Sequence, residues 1–217
     1  MFKIDQAPAQ FYRKIGNPEH GREIRAIGNP KAATSFELFT DVFIKPATVH
    51  SKWITTTGTL LIVPLFGAIE LVQEDRDAFI HINQVSKLRV KAGTKLQFKN
   101  IYPDHSVRFL MVLIKSDTAE PQSTIEYKLD TLNDLLEVHT DRSCSLNLGQ
   151  FEGREETVYT YKRKDTSVFA YVLQGAFEFQ NRLLEAGEGL CLWDQNPIEL
   201  EALSNKAYLA LIEFQSE

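Results

Sequence analysis

Histidines are the side chains of this chain that could bind a transition metal or move a proton near neutral pH. The sequence has five of them, and no two are separated by a single residue, as paired ligands on one strand would be. His50 and His105 are weak metal candidates if strand register brings them together. Isolated histidines in β-proteins are more often structural than ligating, so no metal centre is predicted. The five are His20, His50, His81, His105 and His139.

Two cysteines offer a second kind of chemistry. Cys144 follows Arg142, and a guanidinium lowers the pKa of a neighbouring thiol, but a nucleophilic cysteine also needs a base that the local sequence does not supply. Cys191 alternates with two leucines, as a small buried apolar residue does. With no C-x-x-C spacing, both are predicted to be free thiols in a reducing compartment.

The composition indicates a globular protein and argues against direct contact with nucleic acid or membrane. The chain has 217 residues, 43% of them apolar and 24% charged, and its net charge is −5. A large nucleic-acid footprint needs a basic stripe, and the longest apolar stretch, residues 60–66, is far too short to cross a bilayer. The N-terminus shows no apolar core of a signal peptide. We therefore expect a cytoplasmic protein.

One short sequence pattern occurs twice. Residues 63–72 and 171–180 each contain an apolar run, a Gly-Ala pair and an alternation of apolar residues with glutamate. An Ala-Gly turn follows each copy, at 92–93 and at 186–187. Alternation with a period of two recurs between these turns, without sustained helical periodicity. The pattern predicts an all-β protein with a duplicated domain.

A polar segment over residues 115–122 separates the two copies and contains Pro121. We therefore predict one domain over residues 1–120 and a second over residues 121–217, each long enough to bury its own core. One short helical turn is predicted over residues 131–136, with Asp130 or Thr131 as its N-cap.

These features together resemble the pirin-like bicupins, a family that includes proteins with quercetin dioxygenase activity. The resemblance rests on the apolar–glycine turns around Gly67 and Gly175, on the Ala-Gly turn after each, and on the segment Leu-Cys-Leu-Trp-Asp-Gln-Asn-Pro over residues 190–197. It is stronger in the C-terminal part of the chain. The resemblance implies two tandem cupin jelly-roll antiparallel β-barrels.

The family's metal site lies in the first barrel, where a His-x-His pair, a carboxylate and a His-x-Glu pair converge on an ion such as non-haem iron. Counting back from Gly67 places Trp53 and Thr55 at the His-x-His positions and Thr59 near the carboxylate position. His105 matches the histidine of the second pair with a one-residue gap, but a valine replaces its glutamate partner. The resemblance therefore implies that the metal ligands are largely lost and that no catalytic residue is retained.

The positions Trp53, Thr55, Thr59 and His105 are predicted to line a ligand-binding pocket of the first barrel. If Trp53 points inward, its indole fills the space of the metal and its waters; otherwise the threonines make a neutral site suited to a small polar or aromatic ligand. Both possibilities stay open. In the second barrel, counting back from the equivalent glycine gives three residues that form no metal site, Tyr161, Arg163 and Ser167.

These expectations favour a pirin-like protein that is non-catalytic or diverged, has no cofactor, and binds a small molecule or a protein partner. The alternative is a metal-dependent, quercetinase-like dioxygenase in which His50 and His105 belong to a rearranged site for iron or another divalent transition metal. A third possibility, implied by the family, is a regulatory module that binds a transcription factor.

Overall fold

A computed structural model describes residues 8–14, 21–72, 77–117 and 121–215. Within them every regular element is a β-strand, which confirms the predicted all-β class. No helix in this part of the chain could cross a membrane. The predicted helical turn over residues 131–136 is wrong, because Leu132 forms an isolated parallel bridge with Gln150 and Leu136 begins a strand. The strands, numbered in chain order, are β1 (Ala9–Tyr12), β2 (Arg22–Ile27), β3 (Phe36–Ile44), β4 (Val49–Trp53), β5 (Gly58–Phe66), β6 (Ile69–Val72), β7 (Ala78–Ile80), β8 (Gln84–Val90), β9 (Lys95–Lys99), β10 (Val107–Lys115), β11 (Ser123–Glu126), β12 (Leu136–Thr140), β13 (Cys144–Phe151), β14 (Glu156–Tyr159), β15 (Thr166–Gln174), β16 (Ala176–Phe179), β17 (Leu183–Glu185), β18 (Gly189–Leu192), β19 (Ile198–Ala202) and β20 (Ala207–Gln215).

The strands form two compact units whose segments alternate along the chain. The N-terminal unit consists of Asn17–Ala26 and Phe36–Lys128, and the C-terminal unit of Met1–Gly16, Ile27–Ser35 and Leu129–Glu217. The division predicted at residue 120 assigns β1 to the first barrel, whereas β1 pairs with β18 in the C-terminal unit. This pairing lets β1 cover one edge of β18. Local sequence patterns do not encode such a long-range exchange.

The N-terminal unit contains two sheets. The six-stranded sheet has the order β11-β8-β5-β10-β3-β2, and the four-stranded sheet has the order β4-β9-β6-β7. Alternate side chains of both sheets pack into one apolar core, in which Phe98, Phe109 and Met111 are fully buried. This is the jelly-roll architecture predicted for the first barrel, built as two sheets rather than as a closed barrel.

The C-terminal unit repeats this arrangement with different strands. Its six-stranded sheet has the order β1-β18-β15-β20-β13-β12, and its four-stranded sheet has the order β14-β19-β16-β17. Side chains from both sheets again form one core, which includes the fully buried Phe151, Phe177 and Phe179. The predicted duplication of a β-domain is therefore visible as two jelly rolls.

The repeated glycine turn connects equivalent strands of the two units. Gly67 links β5 to β6 with a φ of +73°, and Gly175 links β15 to β16 with a φ of +78°. A Cβ atom at Gly67 would lie 2.7 Å from a methyl carbon of Val107, and one at Gly175 would lie 2.3 Å from Ser204 Oγ. Both the backbone conformation and the lack of space require glycine, which explains why this residue marks both copies.

Candidate functional site

Strand β4 determines which polar residues face the interior of the N-terminal unit. Its side chains alternate, because Val49, Ser51 and Trp53 are exposed while His50 and Lys52 are half-buried. Trp53 is 61% exposed. The indole therefore lies on the solvent side of the sheet and does not fill the space that a metal would need.

The structure places Trp53 and Thr55 outside the interior because the chain turns between β4 and β5. Residues 54–57 belong to neither strand. Counting back from Gly67 treats them as part of a continuous strand, so it assigns the β4 residues to the wrong face of the sheet. Thr55 is exposed, and its Oγ1 accepts a hydrogen bond from Arg25 Nη1 at 3.3 Å. The inward positions of β4 are those of His50 and Lys52.

Thr59 is buried, but on the opposite face of β5 from the core of its unit. It is 4% exposed, and its neighbour Leu60 belongs to that core together with Ile62. Successive side chains of a strand point to opposite faces, so Thr59 points away from the core side. The four residues of the predicted pocket are therefore not brought together in one interior.

His105 lies in the loop between β9 and β10. Its side chain is 43% exposed, its Nδ1 is 2.8 Å from Asp104 Oδ1, and its ring centroid is 4.1 Å from that of Tyr102. Asn100 is 1% exposed and shapes this loop, because its Nδ2 donates to the His105 carbonyl oxygen (2.8 Å) and its Oδ1 accepts from Tyr102 N (2.9 Å). In the described structure no hydrogen bond or ring contact joins His105 to His50.

An ion pair occupies the half-buried face of β4, and we call Glu23, Arg25, His50 and Lys52 the β4 cluster. The Nζ of Lys52, whose side chain is 13% exposed, donates to Glu23 Oε2 on β2. Arg25 Nε donates to Glu23 Oε1 at 2.7 Å. The Nε2 of His50 is buried and has no hydrogen-bond partner within the described part of the chain. The cluster thus combines one carboxylate, two cations and one imidazole.

The electrostatics of the β4 cluster fix its charge states at neutral pH. Burial and the Lys52 ammonium lower the pKa of His50 below its usual 6.5, against an opposing effect of Glu23. Burial raises the pKa of Glu23, but hydrogen bonds and charge from Lys52 and Arg25 outweigh it, so the pKa lies below 4.5. His50 is therefore a neutral imidazole, and Glu23 is an ionised carboxylate between two cations.

This cluster does not fit the metal ion that the resemblance implies. A divalent transition ion needs several neutral or anionic donors, whereas the cluster offers one imidazole and one carboxylate whose two oxygens already accept from Lys52 and Arg25. The two cations would also repel the ion. Among the residues that the structure describes, the one group of three or more ligand atoms within 4.8 Å of one another lies in the C-terminal unit.

The C-terminal unit holds a different polar network around Glu213 on β20. Glu213 is fully buried; its Oε2 accepts from the Tyr159 hydroxyl (2.7 Å) and Lys162 N (2.9 Å), and its Oε1 accepts from Arg163 N (3.0 Å). The Arg163 Nη1 lies 3.9 Å from Oε1. Burial and the bond to Glu213 raise the pKa of Tyr159 well above 10. The carboxylate is therefore saturated with donors from its own unit.

Of the three positions predicted for the second barrel, Arg163 joins this network through its backbone N and its guanidinium. The hydroxyl of Tyr161 donates to the Leu192 carbonyl oxygen at 3.4 Å, and Ser167 is fully buried. Sequence reasoning missed Glu213, although a lone glutamate inside the apolar run Leu-Ala-Leu-Ile-Glu-Phe was an available signal.

One outer face of the C-terminal unit carries a row of glutamates. Glu201 on β19 is paired directly with Glu156 on β14 and with Glu178 on β16, and these residues border a concavity of about 440 Å³ together with Glu199. Arg154 Nη1 forms an ion pair with Glu201 at 3.2 Å. Like charges directly opposite one another on neighbouring strands are destabilising, so we expect this row to lower the stability of the sheet.

In comparisons with known proteins, residues 130–213 match the family model described as the quercetinase C-terminal cupin domain. No curated protein matches the sequence significantly. Among solved structures, the protein YhaK from Escherichia coli is 14% identical, with 94% of this chain and 100% of that chain covered and a TM-score of 0.75. The bacterial pirin YhhW from Escherichia coli, solved in complex with nickel(II), is 14% identical, with 96% and 99% covered and a TM-score of 0.69. Quercetin 2,3-dioxygenase from Acinetobacter baumannii is 14% identical, with 83% and 75% covered and a TM-score of 0.66.

These similarities confirm the pirin-like resemblance and the bicupin fold. The family match falls on the C-terminal unit, where the sequence resemblance was strongest, and the solved structures share the fold of nearly the whole chain. At this low identity they establish architecture and not activity. The function therefore has to be argued from the side chains of this protein.

Proposed function

We propose that this pirin-like bicupin is a binding protein for a small molecule or a protein partner, and that its N-terminal unit carries out no metal-dependent dioxygenation. The observation that supports this is the ion pair between Lys52 and Glu23 on the half-buried face of β4. The lysine lies two residues after His50 on the same face. It takes the place that the second histidine of a His-x-His pair would have.

Lys52 supplies a positive charge without the chemistry of a metal. A transition ion in such a site would offer open coordination positions to substrate or oxygen. An ammonium group offers a fixed charge and three N–H donors, of which one is used by Glu23. With His50 neutral, the β4 cluster is suited to hold polar groups by hydrogen bonds and charge, and unsuited to activate oxygen.

The alternative function is a metal-dependent dioxygenase with a rearranged site at His50 and His105. One observation favours it, because the buried Nε2 of His50 has no hydrogen-bond partner in the described structure. The position of His105 argues against it, since this side chain lies in a loop and contacts Asp104 and Tyr102. A metal at His50 would also have to displace Lys52 from Glu23.

The bulk properties suggest a partner class and a location. The net charge of −5 disfavours direct binding to nucleic acid, and no apolar stretch of the sequence is long enough to span a bilayer. Both cysteines are free, as the sequence predicted, and both are buried, which is compatible with a reducing compartment such as the cytoplasm. A soluble small molecule or a protein is the partner class we propose.

Oxygen uptake with quercetin tests this proposal. The protein is reconstituted in turn with iron(II), nickel(II), copper(II) and manganese(II), and we expect no uptake above the protein-free rate. Turnover by the wild type that is lost in His50→Ala would overturn the proposal.

A gain-of-function variant sharpens the test. Lys52→His creates a His-x-His pair on the half-buried face of β4 and removes the opposing ammonium, so it should bind nickel(II) more tightly than the wild type does. Ser51→His is the matched control, because it adds a histidine on the exposed face and should bring no such gain.

A further inference from the structure

We infer that the hairpin between β12 and β13 carries a site for a divalent transition ion, zinc by preference, formed by His139, Asp141 and Cys144. These three side chains each offer one ligand atom, and the three atoms lie within 4.8 Å of one another. The site lies wholly in the C-terminal unit, so it is independent of the β4 cluster and of the function proposed above.

The hairpin brings the three residues onto one side. Asp141 N donates to the Cys144 carbonyl oxygen at 3.0 Å, so these two residues face each other across the turn. His139 lies two residues before Asp141, near the end of β12, and a direct contact shows that their side chains lie on the same side. The His139 Nε2 is 3.1 Å from Asp141 Oδ2. The sequence alone indicated no base beside Cys144, because only the folded hairpin brings His139 close to this cysteine.

The imidazole of His139 is buried with unused bonding capacity. Its side chain is 1% exposed, and its Nδ1 is buried with no hydrogen-bond partner within the described residues. The nitrogen that faces Asp141 is Nε2, so Nε2 is the atom that would bind the ion, and Nδ1 is the atom whose missing partner costs about 1–3 kcal/mol. A ligand side chain in a compact donor cluster is expected to be buried in this way.

The donor set matches zinc. Imidazole, thiolate and carboxylate are its protein ligands, with bonds of about 2.0–2.3 Å that separate neighbouring ligand atoms by about 3.3–3.8 Å. Ligand atoms already within 4.8 Å therefore need only a modest closure. Binding would release the thiol proton of Cys144, and the resulting thiolate and the Asp141 carboxylate would neutralise the dication. Asp141 Oδ1 accepts from Ser143 N (2.8 Å), Ser143 Oγ (2.7 Å) and Cys144 N (3.1 Å), so Oδ2, which faces His139, is the oxygen left to bind the ion.

The nearby guanidinium of Arg163 does not leave a surplus positive charge at this hairpin. Its Nη1 is 3.9 Å from the buried Glu213 carboxylate. Its Nη2 donates to the main-chain oxygens of Asp141 and of Cys144, the latter at 3.4 Å. Arg163 is thus balanced by Glu213 and stabilises the hairpin that holds the donors.

Burial indicates a structural role for the ion. Cys144 is fully buried, and the side chains of His139 and Asp141 are 1% and 10% exposed. Zinc is tetrahedral in structural sites, so the three residues would fill three of its positions and a water held inside the buried hairpin would fill the fourth. The ion would therefore clamp the hairpin and raise the resistance of the folded unit to heat.

Cobalt(II) titration of the full-length protein, freed of metal beforehand, tests this inference. Cobalt(II) bound to a thiolate gives a charge-transfer absorption in the near ultraviolet, which reports Cys144 directly. We expect one equivalent of cobalt(II) to produce this band in the wild type and one equivalent of zinc(II) to remove it. Cys191→Ser is the matched control, because Cys191 is also fully buried but lies outside the cluster.

Each outcome decides the matter. Cys144→Ser should lose the band, and His139→Gln should weaken zinc binding roughly 100-fold or more, since loss of an outer-sphere partner alone costs about 10–100-fold. Absence of the band in folded wild-type protein, or its loss in Cys191→Ser alone, would overturn the inference. Failure of the quercetin experiment would leave it untouched, because that experiment probes His50.

Discussion

The two units share one architecture, but the β4 cluster and the Glu213 network hold their charged side chains at different depths. In the N-terminal unit, the side chains of Glu23 and Lys52 are 37% and 13% exposed, and they pair between β2 and β4, the edge strands of its two sheets. In the C-terminal unit, Glu213 is fully buried and accepts from Tyr159 and from two backbone N–H groups. The β4 cluster is therefore a partly solvated ion pair and the Glu213 network a desolvated one, and the N-terminal unit buries a carboxylate of its own where Asp41 pairs with Arg108.

This difference shows which parts of the fold are constrained. Both units retain the glycine turn with positive φ and a core of buried aromatic rings, because backbone geometry and packing require them. The polar residues near each core differ in type and partner. The jelly roll thus fixes where polar side chains meet, while the residues present decide whether the site holds a metal, an ion pair or a buried carboxylate.

The largest expected effect is on folding stability when the buried carboxylate is removed. Glu213→Ala leaves the Tyr159 hydroxyl and two backbone donors without an acceptor and deprives Arg163 of its counter-charge. We expect the free energy of unfolding to fall by about 3–5 kcal/mol, measured by urea denaturation. Glu23→Ala removes the partly solvated partner and should cost about 1 kcal/mol or less. Equal losses of unfolding free energy in Glu213→Ala and Glu23→Ala would contradict the claim that burial makes the first carboxylate more important for stability.

A smaller loss of folding stability is expected when the N-terminal ion pair is broken by replacing Lys52 instead of Glu23. Lys52→Met removes the ammonium from Glu23 and from the neighbourhood of His50. Stability should fall by about 1 kcal/mol, and the pKa of His50, followed by NMR titration, should rise. Lys95→Met is the control, because Lys95 is an exposed lysine on the adjacent strand β9. An unchanged His50 titration would show that Lys52 does not act on this ring.

The pH dependence of stability should also distinguish the units. The folded pKa of His50 lies below 6.5, so the unfolded chain binds a proton at a higher pH than the folded chain does. The contribution of His50 is therefore present above pH 6.5 and is lost as the pH falls through the folded pKa. Stability measured from pH 7.5 down to about 5.5 should decline, and His50→Gln should flatten this decline.

The smallest effect is expected on the glutamate row of the C-terminal unit. Glu178→Gln removes one of the carboxylates that face Glu201 across the sheet. Stability should rise by about 0.2–1 kcal/mol, and the gain should shrink in high salt because screening weakens the repulsion. Glu185→Gln is the control, since its cross-strand partner is Ala176. A gain that ignores salt would point to a cause other than charge.

Local periodicity was sufficient to predict most of the fold. Alternation with a period of two identified the strands, and Gly67 and Gly175 marked the duplication because a positive φ at a crowded turn admits no other residue. The position of β1 was out of reach, since its pairing with β18 joins residues about 180 positions apart.

The candidate sites were harder to predict because they depend on turns and on contacts between distant strands. Counting back from Gly67 crossed the turn at 54–57, which shifted the expected positions from His50 and Lys52 to Trp53 and Thr55. The partner of Lys52 is Glu23, on a strand that is not its sequence neighbour.

The most direct test of the central claim is anomalous X-ray diffraction from crystals of the wild-type protein soaked separately in nickel(II) and iron(II). We predict that no anomalous peak lies within coordination distance of His50 and that the density shows the Lys52 ammonium bonded to Glu23. An anomalous peak coordinated by His50 and further side chains of the N-terminal unit, with Lys52 turned away, would contradict the account.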